Sequence, residues 1–170
     1  GRRGETALSF EQRLFEAKAS LRGDQCGWRL DDWRGLTESV VRDPALYMDP
    51  QAGEGAVGTI KAFRDPNYFH DVRSGRHFLF FTASMAGSSS AFNGAIGVAV
   101  AHGPTPSDWR ILPPAIGADT LNNELERPHI VLFGGRYYLF WSTQSHVFNP
   151  HGPVGVTGLY GMVSDDLMGD

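Results

Sequence analysis

Apolar positions in this chain fall in short runs, separated by stretches rich in glycine, proline, serine and asparagine. His77-Phe78-Leu79-Phe80-Phe81-Thr82-Ala83 is a dense run that predicts a strand buried on both faces. Ala95–Ala101 and Trp109–Leu112 predict two more strands, and Asn67–Phe69 a short one before a turn at 71–75. His129–Phe133 and Arg136–Thr143 flank Gly134-Gly135, which supplies the positive φ of a primed hairpin turn. A further strand is predicted at Leu159–Val163. Between these runs lie long loops at 84–94, 113–125 and 144–156. In a rigid β scaffold such loops carry function.

The amino-terminal third is less regular. Within residues 5–22, Leu8, Phe10 and Leu14 share a strand face, while Phe10, Leu14, Ala17 and Leu21 also fit a helical stripe. The all-β context favours the strand. Residues 23–62, with Pro44, Pro50, Gly53, Gly55 and Gly58, predict loops with strands near Ser39–Val41 and Val57–Ala62.

The runs repeat. Arg64-Asp65-Pro66, an apolar stretch, then Gly75-Arg76-His77-Phe78-Leu79-Phe80-Phe81-Thr82 is followed by Glu126-Arg127-Pro128, an apolar stretch, then Gly135-Arg136-Tyr137-Tyr138-Leu139-Phe140-Trp141-Ser142. Pro66 and Pro128 are 62 positions apart, Gly75 and Gly135 are 60, and the following strands at Ile96–Ala99 and Tyr160–Val163 are 64. That period, built from short strands, predicts a radial array of sheets, a β-propeller. Each copy opens with an acidic residue beside an Arg and a Pro. Innermost strands of a propeller start around one axis, so carboxylates far apart in sequence are expected to meet.

Composition narrows the picture. The chain has 170 residues, with 21 Gly and 10 Pro, which fits a turn-rich all-β domain. Its 15 basic and 19 acidic residues give a net charge of −4 and no basic stripe, so no nucleic-acid partner is expected. No apolar run reaches the roughly 20 residues of a membrane span. Cys26 is alone and has no ligand spacing. A propeller needs about four blades to close, and this length accommodates about three. The expectation is a single incomplete propeller domain over residues 1–170, truncated at both ends.

Two segments can do chemistry. In Phe63-Arg64-Asp65-Pro66, the cation favours the ionised Asp65, and Pro66 pushes Asp65 towards an extended conformation. The alternative is an Asp that merely caps a turn, and Arg42-Asp43-Pro44 shows that the tripeptide alone is a weak signal. In Asn123-Glu124-Leu125-Glu126-Arg127-Pro128, Glu124 and Glu126 lie on one side of an extended segment. Carboxylates that close repel, and one with a raised pKa suits a general acid. The alternative is a solvated surface loop. Histidines 70, 77, 102, 129, 146 and 151 have no ligand spacing. His77 reads as core, and His129 as either a pocket support or packing. Trp109, Trp141, Tyr137 and Tyr138 read as blade packing. No phosphate loop is present.

Taken together, Phe63-Arg64-Asp65-Pro66, Glu124-Leu125-Glu126-Arg127-Pro128-His129, Tyr137-Tyr138-Leu139-Phe140-Trp141-Ser142-Thr143-Gln144 and Thr157-Gly158-Leu159-Tyr160-Gly161 resemble the levansucrase and inulosucrase family, glycoside hydrolase family 68. The resemblance covers residues 57–168 well and the first 56 loosely. It implies a five-bladed propeller that cleaves sucrose with retention through a fructosyl-enzyme, with fructan acceptors or water taking the fructose. It implies Glu126 as acid/base, Asp65 as transition-state stabiliser, and Arg64, Glu124 and Arg127 as substrate-binding residues. No cofactor is implied, and an extracellular location is.

Three departures modify that expectation. The nucleophilic Asp, carried by the family in a Trp-Asp-x-Trp/Met-Pro motif upstream, has no match here, so the chain alone is not expected to catalyse. Several family members hold calcium through an Asp just before the Glu-x-Glu-Arg run. Asn123 stands at that position, and no metal is expected. Polymer-forming members usually have Arg or His 18 residues after the acid/base, where this chain has Gln144, with His146 two further on. That residue contacts the acceptor sugar, so short oligosaccharides or hydrolysis are expected over long polymer. The alternatives are a sucrose- or fructan-hydrolysing enzyme on the same fold and a non-catalytic sugar-binding propeller.

Overall fold

The computed structural model describes residues 11–52 and 60–168. Nine strands run β1 Leu14–Asp24, β2 Gly27–Val40, β3 Phe63–Asp71, β4 Arg76–Ser84, β5 Gly94–Ala101, β6 Trp109–Gly117, β7 Glu126–Phe133, β8 Arg136–Thr143 and β9 Gly158–Ser164. They form a β1-β2 ribbon, a four-stranded β3-β4-β5-β6 sheet and a three-stranded β7-β8-β9 sheet, with every pair antiparallel. The protein is all-β and part of a β-propeller whose ring these sheets do not close. The material expected to make about three blades makes one four-stranded blade, a three-stranded one and a ribbon.

Strands β4 and β5 organise the packing because both of their faces are buried. Alternate residues serve opposite sides, as the period of two requires. Phe81, Ala83, Ala95 and Ala99 join Leu14, Val40, Tyr47 and Phe63 between ribbon and sheet. Phe78, Phe80, Ile96, Val98 and Val100 join Leu125, with Ile130, Leu139 and Trp141 of the next blade packed against them. Gly97 faces Phe81 across the ladder, and a Cβ there would stand 2.2 Å from the ring. The glycine makes room for the aromatic ring at the centre of the first cluster.

Several elements differ from the sequence reading. The expected loop region 23–62 contains the whole of β2, of which only Ser39–Val41 was anticipated. Away from its buried Leu14–Val40 end, the ribbon is largely exposed on both faces, so it shows no alternation. Charge pairs line it instead: Arg22 with Asp32 at 2.7 Å, and Arg29 with Asp31 at 2.7 Å and with Asp24 at 3.0 Å. Residues 14–22 are strand rather than helix, while 5–10 lie outside the described residues. Of the strand expected at Val57–Ala62, 57–59 lie outside the described residues and 60–62 are not in a ladder. The short strand at Asn67–Phe69 is the middle of the nine-residue β3. The loop expected from 113 begins later, because β6 continues through Pro113-Pro114 to Gly117. Prolines are tolerated there because β6 is an edge strand and the ladder shifts register between its Val98↔Leu112 and Ile96↔Ile116 pairs.

The second Arg-Asp-Pro tripeptide is a turn. Asp43 Oδ1 accepts from the Ala45 N–H at 2.9 Å, its carbonyl accepts from the Tyr47 N–H at 2.9 Å, and Arg42 donates to the Tyr47 carbonyl at 2.9 Å. That turn plants Tyr47 in the core, where its hydroxyl donates to the Leu112 carbonyl at 2.6 Å and accepts from the Val98 N–H at 3.3 Å. The hydroxyl thus fills the gap that the β5–β6 irregularity leaves.

At the far end of β3, Asp71 locks the two blades together. It accepts from Tyr137 Oη of β8 at 2.8 Å, from the Arg73 and Ser74 N–H groups at 3.1 Å each, and from the Ser74 hydroxyl. Arg73 lies over the Tyr137 ring and donates to the Asp165 carbonyl at 3.0 Å. Burial pushes the Asp71 carboxyl up, but the hydrogen bonds from Ser74 and Tyr137 together hold it below the usual range. A carboxyl depressed in the folded state contributes stability above its unfolded pKa and loses it as pH falls. Asp71→Asn is expected to cost about 1–3 kcal/mol at neutral pH, and thermal unfolding should show the difference from wild type narrowing in acid.

Candidate active site

Strands β3 and β7 carry the same irregularity at their first turn of ladder. Arg64 pairs with Thr82 and Asn67 with Phe80, so Asp65 and Pro66 together oppose Phe81. Glu126 pairs with Ser142 and His129 with Phe140, so Arg127 and Pro128 together oppose Trp141. In each bulge the residue before proline is left-handed: Asp65 has φ 55° and Arg127 has φ 51°, so Asp65 is not extended as its place before Pro66 predicts, because the bulge sets its backbone. The left-handed conformation costs a non-glycine residue roughly 1–2 kcal/mol, and bulges of this kind re-aim side chains beside active sites.

The matching bulges keep the register that Pro66 and Pro128 set in the repeat. Asp65 corresponds to Arg127, and Arg64 corresponds to Glu126. The charge order is inverted between blades, so equivalent positions attract across the blade boundary. Arg64 Nη2 lies 3.0 Å from Glu126 Oε1 and 3.6 Å from Glu124 Oε2, and its Nε lies 3.6 Å from Asp65 Oδ2. One guanidinium therefore gathers three carboxylates from two blades. The Glu124 side chain is 9% exposed, that of Glu126 13% and that of Asp65 29%.

Thr82, fully buried on β4, joins the two bulges. Its hydroxyl accepts from the Arg127 N–H at 3.1 Å and donates to Asp65 Oδ2 at 3.4 Å. Sequence reasoning passed over it as one more residue of a dense strand. Its only signal was its place opposite Arg64 in the repeat.

The long loops converge on the second segment. The Asn123 N–H donates to the Val147 carbonyl at 2.9 Å, and the Gly94 N–H to the Asn122 carbonyl at 2.8 Å. The Glu124 N–H donates to Asn122 Oδ1 at 2.7 Å, and Asn122 Nδ2 to Thr143 Oγ1 at 2.9 Å. The backbones approach so closely that a Cβ on Gly94 would lie 2.6 Å from the Asn123 carbonyl group. Glu124 and Glu126 are thus held by a buried amide network, not by a free surface loop.

Burial pushes the Glu124 carboxyl above the usual carboxylate range. Arg64 pulls it down, Glu126 pushes it up again, and His146 and Lys61 pull it down. His146 lies within the short 3-10 turn Ser145–Val147 and is exposed. Gln144 precedes that turn and is exposed. The Arg127 side chain is also exposed; its described contribution to the site is its backbone N–H. His129 stacks on Phe140, and His77 is held between Tyr68 Oη at 2.6 Å and the Pro104 carbonyl at 2.9 Å. Beside Asp65, an open cleft of about 400 Å³ is lined by Arg64, Gln12, Arg13 and Phe63.

The family model described as Levansucrase/Invertase matches residues 11–170. The chain belongs to the levansucrase/invertase family. A levansucrase of Erwinia amylovora is 36% identical over 165 residues, covering 82% of this chain and 38% of that protein. An inulosucrase from Halalkalicoccus jeotgali bound to kestose superposes with a TM-score of 0.88 at 37% identity, covering 99% of this chain and 43% of that one. A levansucrase from Gluconacetobacter diazotrophicus, at 24% identity and a TM-score of 0.81, covers 92% of this chain and 37% of that one and shares the fold. The chain spans well under half the length of these relatives.

The position at which some members of this family hold calcium does not fit a metal here. Asn123 Oδ1 accepts from Lys61 Nζ at 2.8 Å, so an ammonium already stands where a cation would approach it. Among the described residues no group of three His, Cys, Asp or Glu side chains gathers as metal ligands.

A carboxyl raised in the folded state destabilises the fold as pH rises through its folded pKa. Glu124→Gln removes that burden. It should melt above wild type near neutral pH, with the gap closing as the pH falls towards about 4, where both forms are uncharged. Thermal unfolding across this range reads it directly.

Proposed function

We propose that this chain supplies the acid/base half of a sucrose-cleaving fructosyltransferase. The observation that carries the reading is the placement of Asp65, Glu124 and Glu126 around Arg64 at the junction of two blades, in a chain of the levansucrase/invertase family. Sucrose is neutral and rich in hydroxyls, and fixed carboxylates beside a guanidinium suit it as hydrogen-bond acceptors and donor.

In the proposed reaction, a nucleophilic Asp supplied from outside these 170 residues attacks the fructosyl anomeric carbon. The glycosidic C–O bond breaks, and Glu126 gives its proton to the departing glucose oxygen. Asp65 accepts from fructose hydroxyls and stabilises positive charge developing at the ring. In the second step Glu126 takes the proton of an acceptor hydroxyl, whose oxygen displaces the Asp and restores the starting configuration. Arg64 orients Glu126, Glu124 binds substrate hydroxyls, and Arg127 completes the substrate-binding set. Gln144 and His146 border the side on which the acceptor arrives. A neutral Gln144 favours release to short acceptors or water over a long fructan. Action on sucrose in this way implies secretion to where sucrose and fructan are found.

The full-length protein incubated with sucrose tests this through free glucose and free fructose measured together. Glucose in excess of fructose is the expected result. Equal amounts would assign a hydrolase on the same scaffold, and release of neither would return a sugar-binding propeller to the front. Glu126→Gln should lower kcat by roughly 10²-fold or more with sucrose affinity kept, and retained turnover would remove Glu126 from the acid/base role. Asp65→Asn should lower kcat comparably, and a mild effect would leave Asp65 as a structural residue of its bulge.

A further inference from the structure

We propose that the Lys61 ammonium is a built-in cation that fixes the Glu124–Glu126 segment in the manner of a bound metal ion, making Lys61 a positioning residue. The structure places this side chain, 4% exposed, where three separate pieces of chain meet. Nζ donates to the Ala91 carbonyl at 2.6 Å, to Asn93 Oδ1 at 2.7 Å and to Asn123 Oδ1 at 2.8 Å. An ammonium has three protons, and all three are used.

The amide orientations support this cage from behind. Asn123 Nδ2 donates to the Ile60 carbonyl at 3.0 Å, and Asn93 Nδ2 to the Met85 carbonyl at 2.8 Å. Turning either amide over would set an NH₂ against the ammonium and an oxygen against a carbonyl. Both amide oxygens must therefore face Lys61. The acceptors are neutral, and the negative charge acting on the ammonium is that of Glu124. Burial lowers the Lys61 pKa and Glu124 raises it. A buried ammonium is tolerated when all its donors are satisfied, and the three oxygens around Lys61 satisfy them here.

The cage joins the approach to β3, which carries Arg64 and Asp65, to loop 84–94 and to the residue preceding Glu124. Asn123 is also anchored through its N–H to Val147, so its side chain and backbone are both committed. Through Asn123, Lys61 sets the position of Glu124 and Glu126 without touching substrate.

The test uses the full-length protein, with thermal unfolding and sucrose kinetics in excess EDTA and in added calcium chloride. Wild type should be indifferent to both additions. Lys61→Met keeps the stem and deletes the charge. It should melt lower by about 5 °C or more and lose roughly tenfold or more in kcat with a smaller change in KM, with no recovery on adding calcium. Wild-type loss of stability in EDTA, recovery of Lys61→Met by calcium, or wild-type behaviour of Lys61→Met would each overturn the proposal. A lower melting temperature with unchanged kcat would overturn the positioning role. If Lys61→Met does not fold, Lys61→Gln, which keeps an N–H donor and loses the charge, decides: a lower melting temperature and a fall in kcat that calcium does not restore are expected, and wild-type values or recovery by calcium would overturn the proposal. The kinetic arm rests on the proposed function; if wild type leaves sucrose intact, that reading fails and the melting arm still decides.

Discussion

One guanidinium holds the site together. Arg64 meets Asp65 on its own strand and Glu124 and Glu126 on the next blade. Three carboxylates so close repel strongly in a partly buried setting, and a cation between them makes the arrangement tolerable. Arg64 can stand there because β3 and β7 bulge identically. Each bulge depends on a proline preceded by a left-handed residue, and Thr82 of β4 clips the two together. Beneath them lie β4 and β5, packed on both faces, so the platform under the charges has little room to shift.

The same strand divides its duties by end. The Arg64 end of β3 concentrates strain and like charge, features that destabilise a fold while arranging its chemistry. The Asp71 end gathers hydrogen bonds from the turn and from Tyr137 of the neighbouring blade. Placing the blade-to-blade lock far from the carboxylates lets one end be rigid in compensation for the other.

Polar side chains do the work of a core around Glu124. Asn93, Asn122 and Asn123 are all buried, each with its amide engaged, and Lys61 supplies the cation at their centre. Such a network is directional where an apolar contact is not. It fixes the loops that carry Glu124 and Glu126 at defined angles to the Arg64 strand, and it does so with groups that mark no familiar motif.

The sequence by itself determined the fold class and the charged groups that gather around Arg64. The sixty-residue repeat, the dense runs at β4 and β8 and the Gly134-Gly135 hairpin are local patterns of spacing and conformational preference, and local patterns are legible in one dimension. So were Arg64, Asp65, Glu124 and Glu126, through motifs joined by that repeat. The β1-β2 ribbon was not legible, because an element exposed on both faces carries no alternation to read. Nor was the difference between Asp43 and Asp65: both sit in Arg-Asp-Pro, and only the surrounding ladder makes one a turn and the other a bulge. The pairing of Arg64 with Glu126, the clip from Thr82 to Arg127 and the approach of Asn123 to Lys61 were decided by tertiary structure alone, since each joins groups 45 to 62 positions apart whose attraction appears only once the blades are packed.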